Sequence, residues 1–390
     1  MVEEFRRRFV EGTLEIFVRH GWDRRTGRLV ERLTPDFAPD PTPYRRSMVH
    51  GRQLFVYAVW AERTENPAFA DNADRIFSRL TDDFADRDHG GWFESVDLDG
   101  ERRSSDKRLY AHAFVLLGLS AYRHCLDRRV DDQVDRALDY IVDRFGSGAG
   151  LYHAVLERTG GTKGDSIDQN PLMHLLEALL FLSERAGRTD TLRLAGEIVD
   201  RVLESFLLDG LIVEHLGLDL NPHRNLGHLA EPGHQAEWAW LLRWYGAQAG
   251  TGHLDGVCRT LVGNALDCGW DHEHGGLFDQ IDRTDRTPIA STKRLWPLGE
   301  LIKAASVFPD CVEPAGRTPG SLVRLLCDKY LHPDGRWTER LHRDMSVADP
   351  TLPASSCYHL SFALVEALGS ASHSGRADWP AVRTTPPPLP

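Results

Sequence analysis

The stretch 223–245, HRNLGHLAEPGHQAEWAWLLRWY, sets titratable side chains at the mouth of an apolar helix. His228, His234 and Glu237 crowd the entrance to a run holding Trp238, Trp240, Leu241, Leu242, Trp244 and Tyr245. In a helix starting near Glu231, His234 and Glu237 are three residues apart and share one face. A second segment, 168–182, carries His174 and Glu177 at the same spacing inside another apolar run. Core helices carry such groups when they are hydrogen-bonded or functional. A buried histidine standing alone is more often structural than catalytic. Two His–Glu pairs with tryptophans nearby point instead to a carbohydrate-type pocket.

Similar outliers recur elsewhere. Arg52 lies just ahead of Phe55, Tyr57 and Trp60; Tyr110 and His112 lie in KRLYAHAFVLL; Lys293, Trp296 and Glu300 lie in STKRLWPLGE; His359 follows Tyr358. His and carboxylate also ligate metals. However, H-E-x-x-H is absent, and the di-iron bundle pattern puts Glu before His and adds two further carboxylates. The turn Asp271, His272, Glu273, His274 is ligand-rich, but adjacent side chains are not expected to converge in a loop. No metal or cofactor is expected. There is no P-loop, no G-x-G-x-x-G and no G-x-S-x-G elbow. Glycoside hydrolysis needs two placed carboxylates, for which Glu231, Glu237 and Glu300 are candidates. Histidine dominates the set, which favours proton transfer near neutral pH, since an unperturbed imidazole titrates at about 6.5.

These residues need elements to hold them. Apolar periodicity predicts helices over 3–20, 46–63, 67–84, 107–126, 130–145, 168–186, 189–206, from about 231 into the apolar run that reaches 245, 253–270, 292–306, 319–331 and 354–369. An aromatic-rich turn recurs every 60–70 residues, near 21, 91, 150, 210, 276 and 335. Repetition on this scale means stacked units sharing one core. Six helix pairs can close on themselves, so an all-α (α/α)6 barrel of about twelve helices, with short hairpins or loops between pairs, is expected over 1–370. Residues 371–390 read as a proline-rich tail. Closing the ring brings corresponding ends of the inner helices around one cavity and turns distant outliers into neighbours.

Composition fits this picture: 41% of the 390 residues are hydrophobic and 27% charged, and the net charge of −12 disfavours a nucleic-acid partner. No run approaches the roughly 20 apolar residues of a membrane helix. Charges stand where a secretory apolar region would be, and six cysteines show neither C-x-x-C nor compact disulfide spacing. A cytoplasmic, reduced protein, monomeric or homodimeric, is the expectation.

Six segments carry a family resemblance: GRQLFVYA around Arg52, KRLYAHAF, NPLMHLLEALL, EPGHQAEWAWLL, KRLWPLGE and the Tyr358–His359 pair. In order and spacing they resemble the N-acylglucosamine 2-epimerase superfamily, which includes mannose isomerase, related aldose–ketose isomerases and cellobiose 2-epimerase. The resemblance covers about residues 5–370. It implies the (α/α)6 barrel and isomerisation or epimerisation of a free reducing monosaccharide without metal or redox cofactor. It also implies paired catalytic histidines at His234 and His359, with ring opening, removal of the C2 proton and a cis-enediol(ate). His359 is expected to exchange the proton at C2 and C1, and His234 to assist ring opening or transfer from the other side. Arg52 would stabilise charge on O1 and O2. Glu237 would fix an imidazole tautomer or hold a hydroxyl, and His174 would bind a hydroxyl or help open the ring. Trp296 would offer a platform to the sugar. Lys293 and Glu300 would pair, either against substrate or as a structural ion pair. Tyr110 and His112 would be pocket wall or satisfied core. KRLYAHAFVLL is closest to the mannose isomerase branch, so D-mannose to D-fructose leads. D-mannose/D-glucose 2-epimerisation, another free-sugar epimerase (cellobiose or N-acylglucosamine) and a noncatalytic sugar-binding toroid are the alternatives.

Overall fold

Two kinds of helix alternate along the chain, and burial tells them apart. In the computed structural model, which describes residues 1–148 and 150–371, one kind is buried nearly all round and the other on one stripe. α1 (2–20) runs as Val2–Arg6, a wider-wound π segment Arg7–Thr13 and Leu14–His20. α2 is Ser47–Thr64, and α3 (67–84) joins Pro67–Arg79 to a π turn. α4 is Leu109–Cys125, and α5 (131–145) joins Asp131–Tyr140 to a π turn. α6 is Gln169–Ala186, α7 Thr189–Ser205, α8 Pro232–Ala249 and α9 Asp255–Gly269. α10 is Leu295–Val307, α11 Pro319–Lys329 and α12 Ser356–Ala371. A single helical turn, Pro309–Val312, stands between α10 and α11.

The even-numbered helices are the inner ones. In α2 every residue from Ser47 to Ala61 is buried, the signature of a helix enclosed on all sides. The odd-numbered helices are amphipathic: α7 buries Thr191, Leu194, Ala195, Ile198, Val199 and Val202 and turns its charges to solvent. Each inner helix packs on the next, and α12 packs on α2, so six inner helices close a ring. α1 lies outside against α12 and α11. The chain therefore folds as the (α/α)6 barrel expected.

Glycine sets the tightest inner crossing. A Cβ on Gly51 would lie 2.4 Å from the Phe114 carbonyl oxygen, and one on Gly118 would lie 2.6 Å from the Gly51 oxygen. Only hydrogen at both positions lets α2 and α4 approach this closely. That contact carries Arg52 onto the aromatic face of α4.

Six short ladders complete one rim. The strand entering each inner helix pairs antiparallel with a strand in the following inter-helix loop: Arg45↔Val96, Lys107↔Leu156, Asp168↔His215, Ala230↔Ile281 and Lys293↔Leu341. The sixth, Leu352↔Leu33, joins the end of the chain to its beginning. Apolar patterning could not reveal strands of two or three residues, and the loops read from sequence are this sewn rim. α12 is described as far as Ala371, and the tail expected at 371–390 lies, from residue 372 on, outside the described residues. Among the described residues no helix is long and apolar enough to cross a membrane.

Candidate active site

The inner helices begin at the sewn rim, and their first two turns surround a cavity of about 520 Å³. Arg52 of α2, Tyr110 of α4, Asn170 and His174 of α6, His234 and Glu237 of α8, Trp296 of α10 and His359 of α12 all line it. All six inner helices thus contribute. These eight side chains, far apart in the chain, meet because each sits near the start of its helix.

The rim explains how His234 is held. An acid precedes the loop strand in five of the six units: Glu31, Glu94, Glu214, Asp279 and Glu339. In three units it pairs with the arginine that caps the next inner helix: Glu31 with Arg46, Glu94 with Arg108 and Asp279 with Arg294. In the fourth unit the acid is Glu214, and its partner is His234. Glu214 Oε2 lies 2.9 Å from His234 Nδ1 and accepts from Gln169 Nε2 at 2.7 Å. Gln169 cannot flip, because its Oε1 accepts from Trp238 Nε1 at 2.5 Å. The Nδ1 hydrogen of His234 is therefore given to the carboxylate, and Nε2 is left for the cavity. Burial opposes charge on this imidazole, but Glu214 and Glu231 outweigh it and raise its pKa to about 9.

His359 has the opposite disposition. Its Nδ1 lies 2.7 Å from Glu300 Oε1, again leaving Nε2 to the cavity. Burial, then the positive charges of Arg52, Lys303 and His234, hold its pKa well below the ordinary value. Lys303 meets the other oxygen of Glu300 at 2.5 Å and so competes for the carboxylate that would otherwise stabilise an imidazolium. Trp296 lies between the two rings, its centroid 4.8 Å from His234 and 5.6 Å from His359. Gly233 makes room for it, since a Cβ there would stand 2.6 Å from the indole. One imidazole keeps its proton at neutral pH and the other does not. Diverging pKa values of this kind mark an acid and a base.

Arg52 supplies positive charge. Its Nη2 donates to Tyr110 Oη at 2.7 Å, and its guanidinium lies 4.1 Å from the Phe114 centroid and 4.8 Å from that of Tyr358. Glu237 is fully buried, with neither oxygen hydrogen-bonded. Burial, then Glu300 and Glu177, push its pKa well up, so it enters the site as a neutral acid able to donate to a hydroxyl. His174 Nδ1 lies 3.4 Å from Glu177 Oε2, and Tyr358 Oη donates to the same oxygen. Burial and then Arg52 keep His174 neutral.

Three expectations change. Lys293 does not reach the cavity or pair with Glu300. Its ammonium is buried on Asp271 at 2.8 Å and on the Arg343 carbonyl at 2.7 Å. Lys107 does the same in another unit, bound to buried Asp86 at 2.9 Å, with Arg158 where Arg343 stands in the other. Both lysines are staples between a turn and the rim, and the partner of Glu300 is Lys303. His112 also lies off the cavity. Nδ1 donates to the Arg108 carbonyl, Nε2 accepts from Trp92 N–H at 3.0 Å, and the ring stacks on Tyr140. His50 makes the same Nδ1 contact to Arg46 in its own unit. Finally, Asp271, Glu273 and His274 do converge, with ligand atoms within 4.8 Å, because Lys293 and Arg343 tie the turn down. His228 is solvent-exposed.

Two further sets bring ligand atoms equally close, His174–Glu177–Glu237 and Glu237–Glu300–His359. Both already adjoin the protein's own cations, Arg52 and Lys303. Glu214, Gln169 and Lys303 are functional neighbours that the apolar pattern did not single out.

The sequence profile of the family described as N-acylglucosamine 2-epimerase matches residues 27–363. A mannose-6-phosphate isomerase of Rhizobium meliloti (strain 1021) is 28% identical over 91% of this chain and 94% of its own. A crystal structure of D-mannose isomerase superposes with a TM-score of 0.83 at 21% identity, over 92% of this chain and 96% of its own. Cellobiose 2-epimerase from Spirochaeta thermophila DSM 6192 superposes at 0.82 and 20%, over 95% and 96%.

Proposed function

The chain belongs to the N-acylglucosamine 2-epimerase family of sugar isomerases and epimerases, and on that premise we propose that it acts on a free aldohexose, with D-mannose to D-fructose as the leading reaction. The observation that carries this reading is the pair of imidazoles with opposite protonation around Trp296. His234, protonated, donates to the ring oxygen as the C1–O5 bond breaks, and the proton released from O1 goes to His234 in return, so ring opening leaves the imidazolium as it was. His359, neutral, takes the C2 hydrogen through Nε2. The C–H electron pair becomes the C1–C2 double bond, and the aldehyde's π pair becomes charge on O1. Arg52 stabilises that charge as a fixed cation, the kind of contact worth most where charge develops. Returning that proton from His359 to C1, while the O2 proton passes to O1 and the O2 electron pair forms the C2 carbonyl, gives the ketose. Glu237 and His174 hold hydroxyls, and Tyr110 positions Arg52.

The preference for fructose rests on the KRLYAHAFVLL resemblance. D-mannose/D-glucose 2-epimerisation is the second reading, favoured by His234 being a proton donor distinct from the base. Arg32 and Arg340 at the mouth make mannose 6-phosphate a substrate to compare, given the name of the Rhizobium relative.

Incubation of D-mannose with the protein in deuterated water tests this. Fructose labelled at C1 is expected; glucose labelled at C2 would transfer the assignment to the epimerase. No conversion and no exchange with mannose, mannose 6-phosphate, glucose, cellobiose or N-acetylglucosamine would remove both. His234→Asn or His359→Asn should each cost at least about 10²-fold in turnover with the fold intact.

A further inference from the structure

Lys303 is the least expected residue near the site. It lies one turn after Glu300 on α10, fully buried, and its ammonium stands 2.5 Å from Glu300 Oε2. The indole of Trp240 packs against it at 3.8 Å and the ring of Phe362 at 5.0 Å. Glu177 of α6, Glu237 of α8 and Glu366 of α12 are further acids that act on it, while His359 of α12 meets the other oxygen of Glu300, and His234 of α8 and Arg52 of α2 add positive charge around that carboxylate. A lysine without a route to solvent is costly to bury unless its charge is used.

The direction of the His359–Glu300 hydrogen bond decides which nitrogen is a base. With Glu300 ionised, His359 gives its Nδ1 hydrogen to the carboxylate and keeps a bare Nε2. With Glu300 protonated, the carboxyl hydrogen is donated to Nδ1, and the ring hydrogen moves to Nε2, where no proton can be taken from substrate. Burial pushes the Glu300 pKa up and favours the second state; Lys303, ahead of His234 and Arg52, opposes that rise and favours the first.

We propose that Lys303 is a positioning residue, a built-in cation that keeps Glu300 ionised and thereby fixes His359 as the tautomer able to remove the C2 proton. The assignment rests on the proton-transfer reading above, but its test separates from it. Nitrogen-15 shifts of the His359 ring report the tautomer without any sugar present. The parent protein should show a hydrogen on Nδ1 and none on Nε2, and Lys303→Met should reverse this. In deuterium exchange at C2 of D-mannose, Lys303→Met should lose about 10²-fold at pH 7 with KM little changed. The acid limb of its pH profile should move up by at least about one unit, because Glu300 now ionises only at higher pH. A purely structural lysine would lower the amount of folded protein without moving that limb.

The double variant Glu300→Gln/Lys303→Met covers the case in which the single variant fails to fold. It removes both charges together, and a Gln oxygen can still accept from Nδ1. Its exchange rate should match Glu300→Gln alone to within about twofold. A Lys303→Met protein with the parent tautomer and pH profile would overturn the proposal. So would a loss from Lys303→Met that is undiminished in the Glu300→Gln background. If the tautomers behave as expected while no sugar exchanges, the sugar assignment falls and the role of Lys303 stands.

Discussion

Glu214 Oε2 stands 2.9 Å from His234 Nδ1, in the place where neighbouring units put a carboxylate against an arginine. In this unit the rim carboxylate holds a cavity imidazole instead of an arginine.

Removing that carboxylate should show in the alkaline limb. With His234 raised to about 9 and required in its protonated form, kcat/KM should fall as pH rises through about 9. Glu214→Gln should move this limb down towards the ordinary imidazole value near 6.5. The same shift is a stability term. A histidine whose folded pKa is raised gives stability that is complete below about 6.5 and is lost as pH rises through about 9. Thermal melts from pH 6 to pH 10 should therefore converge for parent and variant at the alkaline end. An alkaline limb that Glu214→Gln leaves in place would remove His234 as the acid.

Arg52→Met should lower kcat by about 10²–10³-fold and leave secondary structure intact, because Arg52 touches Tyr110 and two aromatic faces but anchors no helix end. Rapid C2 exchange retained in this variant would show that the enediolate is stabilised by another group.

Glu237→Gln should be mild. The acid is neutral in the free protein, so an amide of the same shape keeps a donor and an acceptor, and activity should stay within about tenfold of the parent, the scale of one altered hydrogen bond. Glu237→Leu should raise KM far more. A collapse in Glu237→Gln equal to that of the histidine variants would mean that the carboxylate form does the work.

Lys293→Met should destabilise the fold by about 3 kcal/mol, the scale of breaking a buried ion pair, with Arg343 left as the remaining cation on Asp271, while folded protein keeps its kcat/KM. His112→Ala should behave alike. His112 is held neutral by burial, with a pKa of about 3, so its contribution is complete above about 6.5 and is lost as pH falls through about 3. Melts in urea alongside steady-state assays distinguish these residues from cavity groups, whose loss should do the reverse.

The barrel was legible because its inner helices are apolar all round and its outer ones are striped, a contrast that survives weak identity between units. His234, Glu237, His174 and His359 were legible for the same reason: charge is conspicuous in an apolar run. Lys293 was misread because Lys303, buried one turn after Glu300, looks from sequence like an ordinary surface position of a helix. A clue was present. D-x-D/E-H-G-G occurs at 86–91 and again at 271–276, and Lys-Arg-Leu follows at 107 and 293. Matching turn and lysine in two units is the mark of a scaffold staple. Glu214 stayed hidden because its meeting with His234 depends on a rim ladder too short to leave a pattern.

The seam of the ring has a consequence for how this chain comes to work. Gln53 donates to the carbonyl of Ala354, and Thr13 to that of Gly335, contacts that span 301 and 322 residues. During synthesis the early helices must wait for partners made at the end, a slow, high-contact-order route. His359 sits on the last helix of the described residues, so the proposed base arrives only when the ring can shut. A ribosome-bound intermediate would have the acid, the arginine and the tryptophan wall, and would still be inert.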